Sequence, residues 1–308
     1  MVKLAIKNYP RDFYRIFKLF GKTPRITKRK VAKDLKINEK TAAAWMDIAF
    51  TQRIIIPPVL RRKSFLNFRE HIYFLKVKDP SELFEELRIS EEVTYYSVLT
   101  GHANFQIISS SPLDLKGEII LSGERSDYHV SVPPKCTFQQ SVEVIRQNLD
   151  DLNYSEFLPS PLVYHDTIFE PWDEEDEILF WEFKDELRRK FKPVMQEHLI
   201  SSSKIMGWYR RREDFASVIT MFFPEGEKAY LPTVYSIETG YDQLLIDLFS
   251  ELPVSTVFYR VADRLIMVLY LPFLVDARKF VRRTFSRLQK EELIGDYTNS
   301  NIEYYHRS

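Results

Sequence analysis

The order of its hydrophobic patterns constrains the fold of this 308-residue chain more than any single motif does. Segments with apolar residues at helical spacing alternate with segments rich in β-branched and aromatic residues, and the same order of segments occurs twice. An offset of 163 residues aligns the two halves, so that Phe17 matches Phe180 and Trp45 matches Trp208. The repeated order of elements predicts an α+β fold built from two related halves.

Three short helices are predicted at the start of the first half. Four apolar residues recur at i, i+3, i+4 and i+7, which places them on one face of a helix: Phe13, Ile16, Phe17 and Phe20. A second helix is predicted at 27–35, and a third begins after Asn38, a residue that favours the N-cap position. Residues 53–68 then indicate a β-hairpin with a basic tip, which would form a wing. This order predicts a winged helix-turn-helix over 1–69.

A ferredoxin-like α/β sandwich is predicted to follow each helical segment. In the first half the strand-helix-strand-strand order predicts this domain over 70–169, with an inserted hairpin near 110–135. In the second half we expect a helix-turn-helix over 170–229 and a second sandwich over 230–308. The predicted fold is therefore a winged helix-turn-helix and a ferredoxin-like sandwich, repeated twice.

The net charge of zero conceals a strong segregation of charge along the chain. Residues 1–69 contain 18 Lys or Arg and four acids, a net charge of +14, so that the remainder carries −14. Such a distribution is typical of a nucleic-acid-binding module attached to an acidic body. The helix-turn-helix of the second half is slightly acidic, and we expect it to be structural or to bind a protein.

We expect double-stranded DNA to be bound by the basic module. Lys40 and Thr41, in the first turn of the third helix, are the candidates for base contacts, and the cations of the turn and wing for phosphate contacts. The predicted DNA-binding residues are Lys28, Arg29, Lys30, Asn38, Lys40, Thr41, Arg53, Arg61, Arg62 and Lys63.

Residue patterns typical of cofactor or metal chemistry are not found in the sequence. There is no Walker or dinucleotide-binding fingerprint, and the six histidines have no metal-ligand spacing. The one cysteine, Cys136, suits a reducing interior, and no apolar run reaches the ~18 residues that span a bilayer. We therefore expect a cytoplasmic protein without membrane contact, without cofactor or metal, and not an enzyme.

Two short motifs resemble those of the Lrp/AsnC (feast/famine) transcription regulators. Residues 37–41 are similar to the start of that family's recognition helix, and residues 100–105 to its Gly-x-x-Asp turn, with Asn104 in place of Asp. The resemblance implies a sequence-specific regulator with sandwich domains that pair through their sheets. It also implies a small-molecule effector near Gly101, His102 and Asn104.

The sequence also bears on the oligomeric state and leaves two alternative functions open. We expect a homodimer, because one basic helix-turn-helix per chain gives a monomer one DNA-reading head. Siroheme decarboxylases have the same arrangement of helix-turn-helix and ferredoxin-like domains, so an enzyme of this type is the alternative function. Against it, an enzyme that acts on a tetrapyrrole does not require a net charge of +14 on residues 1–69. A transcription or chromatin scaffold without sequence specificity is the third reading.

Overall fold

Two antiparallel sheets of very different size organise the chain. The computed structural model describes residues 9–152, 158–162 and 167–307, with side chains from Phe13 onward. The helices are α1 (Tyr9–Lys22), α2 (Lys28–Leu35), α3 (Glu39–Thr51), α4 (Pro80–Glu86), α5 (Phe138–Asp150), α6 (Glu174–Phe183), α7 (Phe191–His198), α8 (Ser202–Phe215), α9 (Asp242–Ser250) and α10 (Val275–Lys290). The strands are β1 (Ile55–Arg62), β2 (His71–Lys76), β3 (Val93–Gly101), β4 (Phe105–Ser109), β5 (Glu118–Glu124), β6 (His129–Val130), β7 (Ala216–Phe222), β8 (Tyr230–Glu238), β9 (Val257–Val261), β10 (Arg264–Pro272) and β11 (Tyr297–Arg307). The fold is α+β, as predicted.

The large sheet joins the two halves of the chain through its last strand. Its strand order is β5-β2-β4-β3-β11-β8-β10-β9-β6. On β11, Ser300 lies opposite Gly101 of β3 on one side and opposite Val234 of β8 on the other. Gly101 has φ +148°, and a Cβ there would lie 2.5 Å from the carbonyl oxygen of Asn299. The close approach of β3 and β11 therefore requires glycine at this position.

The two ends of the large sheet approach each other through the segment that follows β5. Strand β5 pairs with β2, whereas β6 pairs with β9, and Arg125 between them forms a bridge with Val261. The hairpin predicted near 110–135 is therefore wrong in its pairing, because its two strands take partners at opposite ends of the sheet. Local sequence does not encode these partners, since they are contributed by strands distant along the chain.

Helices cover the outer face of the large sheet. Helices α9 and α10 pack on the strands of the second half, where Phe285 is fully buried against the rings of Tyr235 and Phe249. Helix α5 belongs to the first half by sequence, yet its residues Ile145 and Leu149 are buried in this same core. The apolar face of α5 therefore stabilises the other half of the molecule.

The predicted stripe of α1 is buried in one of two helical cores. Phe13, Ile16, Phe17 and Phe20 are at most 2% exposed, as a single buried stripe of α1 requires. Asn38 caps α3, its side chain accepting a hydrogen bond of 2.8 Å from the backbone N–H of Thr41. Helices α6, α7 and α8 enclose a second core around Trp208. None of the helices in the described ranges is both long and apolar enough to cross a bilayer.

A two-stranded ribbon connects the two helical cores. Strand β1 pairs with β7 of the second half, with Val59 opposite Ile219. Residues 65–68 instead close on themselves, through a hydrogen bond of 2.9 Å from Phe65 N–H to the Phe68 carbonyl. The hairpin predicted for 53–68 is therefore not formed. The winged helix-turn-helix and the tandem repeat stay predictions.

Candidate ligand cavity

A cavity of about 310 Å³ lies between the ribbon and the inner face of the large sheet. One wall consists of the ribbon residues Val59, Arg61, Ile219 and Met221, and a side wall is formed by α6. Alternate residues of the large sheet form the opposite wall: Tyr95, Gln106, Ile108, Tyr259, Val268 and Tyr270. The volume is in the range of small-molecule sites, which are mostly apolar with a few polar groups.

Strand alternation explains why a cation faces this apolar space. Successive side chains of β1 point to opposite sides. Leu60 is buried in the core around Trp208, so that Arg61 points toward the large sheet. The free edge of β1 is held by the chain that follows α6, through a hydrogen bond of 2.7 Å from Leu60 N–H to the Lys184 carbonyl.

Three cations surround one carboxylate at the rim of the cavity. Asp185 lies 3.2 Å from Arg61 Nη2, 3.0 Å from Lys184 Nζ and 3.8 Å from Arg307 Nη1. We call Arg61, Lys184 and Arg307 the cation cluster. The cations come from β1, from the end of α6 and from β11, and all three side chains line the cavity.

Burial and neighbouring charges shift the pKa values of two groups in this cluster. Burial lowers the pKa of Lys184, and the charges of Arg61 and Arg307 lower it further, against the attraction of Asp185. Burial opposes ionisation of Asp185, but the three cations outweigh it and hold the pKa of the Asp185 carboxyl below its usual range. Asp185 is therefore ionised at neutral pH.

A second arginine is held between two aromatic rings beside the cavity. Arg62 is 6% exposed, and its guanidinium lies 4.0 Å from the centroid of the Phe68 ring and 3.7 Å from that of Trp172. Its Nη1 donates a hydrogen bond of 3.3 Å to Glu177. Burial lowers the pKa of Arg62 to about 10, so it remains charged at neutral pH.

A buried ion pair fixes the backbone below Arg62. Arg125 is 1% exposed and donates from Nε to Glu70 over 2.6 Å and from Nη2 to the Arg62 carbonyl over 2.6 Å. The Arg125 guanidinium also lies 4.4 Å from the centroid of the Tyr128 ring. Glu70 and Glu177, the acids that line the cavity, are thus each paired with an arginine outside the cation cluster.

Neutral tyrosines supply hydroxyl groups to the cavity wall. Burial raises the pKa of four lining tyrosines: Tyr95, Tyr128, Tyr259 and Tyr270. The hydroxyl of Tyr259 also accepts a hydrogen bond of 3.1 Å from Gln106 Nε2. Because the phenols keep their protons at neutral pH, they can donate hydrogen bonds to an anion without repelling it.

The residues predicted to bind DNA divide into two groups in the structure. One group lies on α2, on α3 and at the N-cap of α3, away from the cavity: Lys28, Arg29, Lys30, Asn38, Lys40 and Thr41. The other group has partners inside the molecule. Arg53 pairs with Glu227, Lys63 Nζ donates to the Glu213 carbonyl over 2.7 Å, and Arg61 and Arg62 border the cavity.

The predicted effector turn forms structural contacts away from the cavity. Asn104 accepts from the Val77 N–H and donates to the Val77 carbonyl, each over 2.8 Å. His102 borders a void of about 20 Å³, which is the room of one water molecule. Gly101 is required by the approach of β11. The effector role of Gly101, His102 and Asn104 stays a prediction.

Several residues of the cavity were not singled out from the sequence. Lys184 and Asp185 follow a helix without any recognisable motif, and Arg307 is the last described residue. Arg61 and Asp185 are 124 positions apart in the chain. The four lining tyrosines are among 17 in the sequence, so their number gave no signal of a site.

The fold of this chain is similar to that of the siroheme decarboxylase NirDL. The crystal structure of NirDL superposes with a TM-score of 0.50 and 11% identity, over 96% of this chain and 91% of the NirDL chain. NirDL in complex with an iron-uroporphyrin III analogue also gives a TM-score of 0.50, with 12% identity over 97% of this chain and 92% of that one. No family model and no curated protein matches the sequence. At this identity the likeness establishes a common fold.

These comparisons correct the predicted function. The prediction of a DNA-binding regulator of the Lrp/AsnC type that is not an enzyme, with DNA as partner, is wrong, because the matching structures are those of an enzyme. The basic segment 1–69 has partners within the chain. Four salt bridges join it to acids elsewhere in the described residues: Arg53–Glu227, Arg61–Asp185, Arg62–Glu177 and Arg69–Glu124. These four basic residues thus contribute to contacts between parts of the molecule.

Proposed function

We propose that this chain is an enzyme of the siroheme decarboxylase type, which binds a carboxylated tetrapyrrole in the cavity. The observation that carries the proposal is the cation cluster at the rim of a cavity whose walls are largely apolar and aromatic. A tetrapyrrole has a flat apolar ring and anionic side chains at its edge. The aliphatic and aromatic walls match the ring in chemistry, and Arg61, Lys184 and Arg307 match its carboxylates.

The side chains of the cavity favour binding through the ring and its carboxylates. Among the described lining residues there is no histidine or cysteine, and the two lining carboxylates, Glu70 and Glu177, are each paired with an arginine. The proposal therefore places no histidine or cysteine ligand on the iron of a siroheme-type substrate. Affinity would come from the aromatic walls and the cation cluster.

Lys184 is the proposed proton donor of the reaction. In a decarboxylation the bond between a side-chain carbon and its carboxylate breaks, and carbon dioxide leaves. The electron pair stays on the carbon, which takes a proton. The lowered pKa of Lys184 brings its ammonium group closer to the operating pH, where a general acid is most effective. Water then returns a proton to the amine.

The two halves are proposed to act as one interwoven unit. The boundaries predicted at 69/70, 169/170 and 229/230 would separate helical segments from sheet segments, and we propose that the two helix-turn-helix segments serve as walls and supports. The pairing of β1 with β7 supports this arrangement, since the ribbon needs one strand from each half.

Binding of a tetrapyrrole tests the proposal directly. Siroheme added to the purified protein should change its visible spectrum saturably, and product analysis should find loss of carbon dioxide. Arg61→Gln should weaken binding roughly tenfold or more, because a hydrogen bond to a charged group contributes about 1.5–3 kcal/mol. Arg29→Gln makes the same charge change on the exposed surface of α2 and should leave binding unaltered. A spectrum that siroheme does not change would contradict the proposal.

A further inference from the structure

Asp185 occupies the position that a ligand carboxylate needs. Within the described residues, it is the acid that forms salt bridges with Arg61 and with Arg307. It also pairs with Lys184 through its other oxygen. A carboxylate that enters the cavity must therefore share these cations with Asp185 or displace it from them.

The surroundings of Asp185 allow such a displacement. Asp185 follows the end of α6, and its side chain is 43% exposed, so it can turn toward solvent without opening a core. Arg61 is held more firmly, with 17% exposure and a hydrogen bond of 2.6 Å from Nη1 to the Leu60 carbonyl. The cations thus stay in place more readily than their counter-ion does.

Other charged groups near the cluster do not take the place of Asp185. Glu177 is tied to Arg62 and to the indole N–H groups of Trp172 and Trp181. Glu70 is tied to Arg125. These two carboxylates line the cavity but are engaged elsewhere, which leaves Asp185 as the anion that can exchange at Arg61 and Arg307.

We propose that Asp185 is an internal competitor that makes the cavity select ligands with at least two carboxylates at one edge. Exchange of one carboxylate for another leaves the electrostatic energy of the cluster nearly unchanged, so a monocarboxylate gains little. A ligand that brings a second carboxylate adds an attraction that Asp185 alone does not supply. The proposal deepens the proposed function and rests on it for the identity of the natural ligand.

Simple benzenecarboxylates test the selectivity without a tetrapyrrole. Calorimetric titration of the full chain should show that benzene-1,3-dicarboxylate binds wild type much more tightly than benzoate does. In Asp185→Asn benzoate should bind on the order of tenfold more tightly than in wild type, and the difference between the two probes should shrink. Asp185→Glu should retain the wild-type preference.

Control variants separate this effect from a general gain of charge. Asp276→Asn makes the same charge change at the start of α10, where the carboxylate is 93% exposed, and should not alter binding. Thermal unfolding of each variant establishes that it is folded. Unchanged or weaker benzoate binding in Asp185→Asn overturns the proposal, and so does the absence of binding of both probes to both proteins. If the benzenecarboxylates behave as expected but siroheme does not bind, the proposed function alone fails.

Discussion

In the proposed reaction Lys184 supplies both a charge and a proton, and one substitution separates the two. Arginine keeps the charge, but its pKa is too high for it to act as an acid near neutral pH. Lys184→Arg should therefore bind siroheme within about threefold of wild type and lower turnover by about 10²–10⁴-fold, the usual contribution of general acid catalysis. Lys63→Arg, outside the cavity lining, is the matched control. Equal losses of affinity and turnover would assign Lys184 to binding alone.

The pH dependence of binding follows from the same cluster. The pKa of Lys184 is lowered by burial and by Arg61 and Arg307, and that of Asp185 lies below its usual range. Asp185 is therefore charged throughout the neutral and alkaline range, whereas Lys184 loses its charge as the pH rises through its lowered pKa. Affinity for benzene-1,3-dicarboxylate should therefore decrease as the pH is raised above neutrality. The midpoint of this decrease should lie below ~10.4, the pKa of an ordinary lysine. Titration at several pH values should show no such fall in Lys184→Arg.

Some residues of the cavity are conspicuous in the sequence, but the sequence pattern predicts a different role for them. Arg61 and Arg62 stand out as basic residues after a strand, and this pattern predicted phosphate contacts. Their partners, Asp185 and Glu177, lie more than a hundred positions away, and no local pattern connects them. The stripe of α1, by contrast, was predictable, because its four residues recur at helical spacing and so lie on the one face of the helix that contacts the core.

Among the elements, most strands of the large sheet were predictable from local patterns, but their partners were not. Strands β8 and β10 are rich in apolar residues, and the structure pairs them over nine positions although α9 and β9 lie between them in the chain. Strand β11 has a largely polar sequence and lies between β3 and β8. Pairing across the two halves depends on the register of residues about 200 positions apart, such as Ser300 and Gly101. Sequence periodicity carries no information on that register.

Gly101 tests the joint between β3 and β11. Its φ of +148° and the 2.5 Å distance from an added Cβ to the Asn299 carbonyl make alanine strained there. Gly101→Ala should lower the free energy of unfolding by about 1–3 kcal/mol. Gly207→Ala is the matched control, because a Cβ in helix α8 meets nothing within 4 Å, and it should stabilise by about 0.5–1 kcal/mol. Urea denaturation measures both, and equal effects would refute the assigned role of Gly101.

At the scale of the whole molecule, the two halves of the sequence do not correspond to two independent bodies. Helix α5 completes the core of the second half, β11 completes the sheet of the first, and the ribbon takes one strand from each. The Arg53–Glu227 pair adds an ionic contact between the two halves. The sequence repeat predicts a duplication of domains. It does not predict that elements are exchanged between the two copies, because that exchange depends on contacts between distant residues.

Separated fragments should therefore depend on each other for folding. A fragment of residues 158–308 lacks Ile145 and Leu149 of α5 in its main core, and its strand β7 lacks β1. Exposure of these apolar surfaces should leave each of the fragments 1–152 and 158–308 aggregated or unfolded when expressed alone. Co-expressed, they should co-purify as one complex, since the same surfaces then find their partners. Circular dichroism and size-exclusion chromatography measure the outcome. A 158–308 fragment that is monodisperse and unfolds cooperatively on its own would mean that the contacts of α5 and β1 contribute little to its stability.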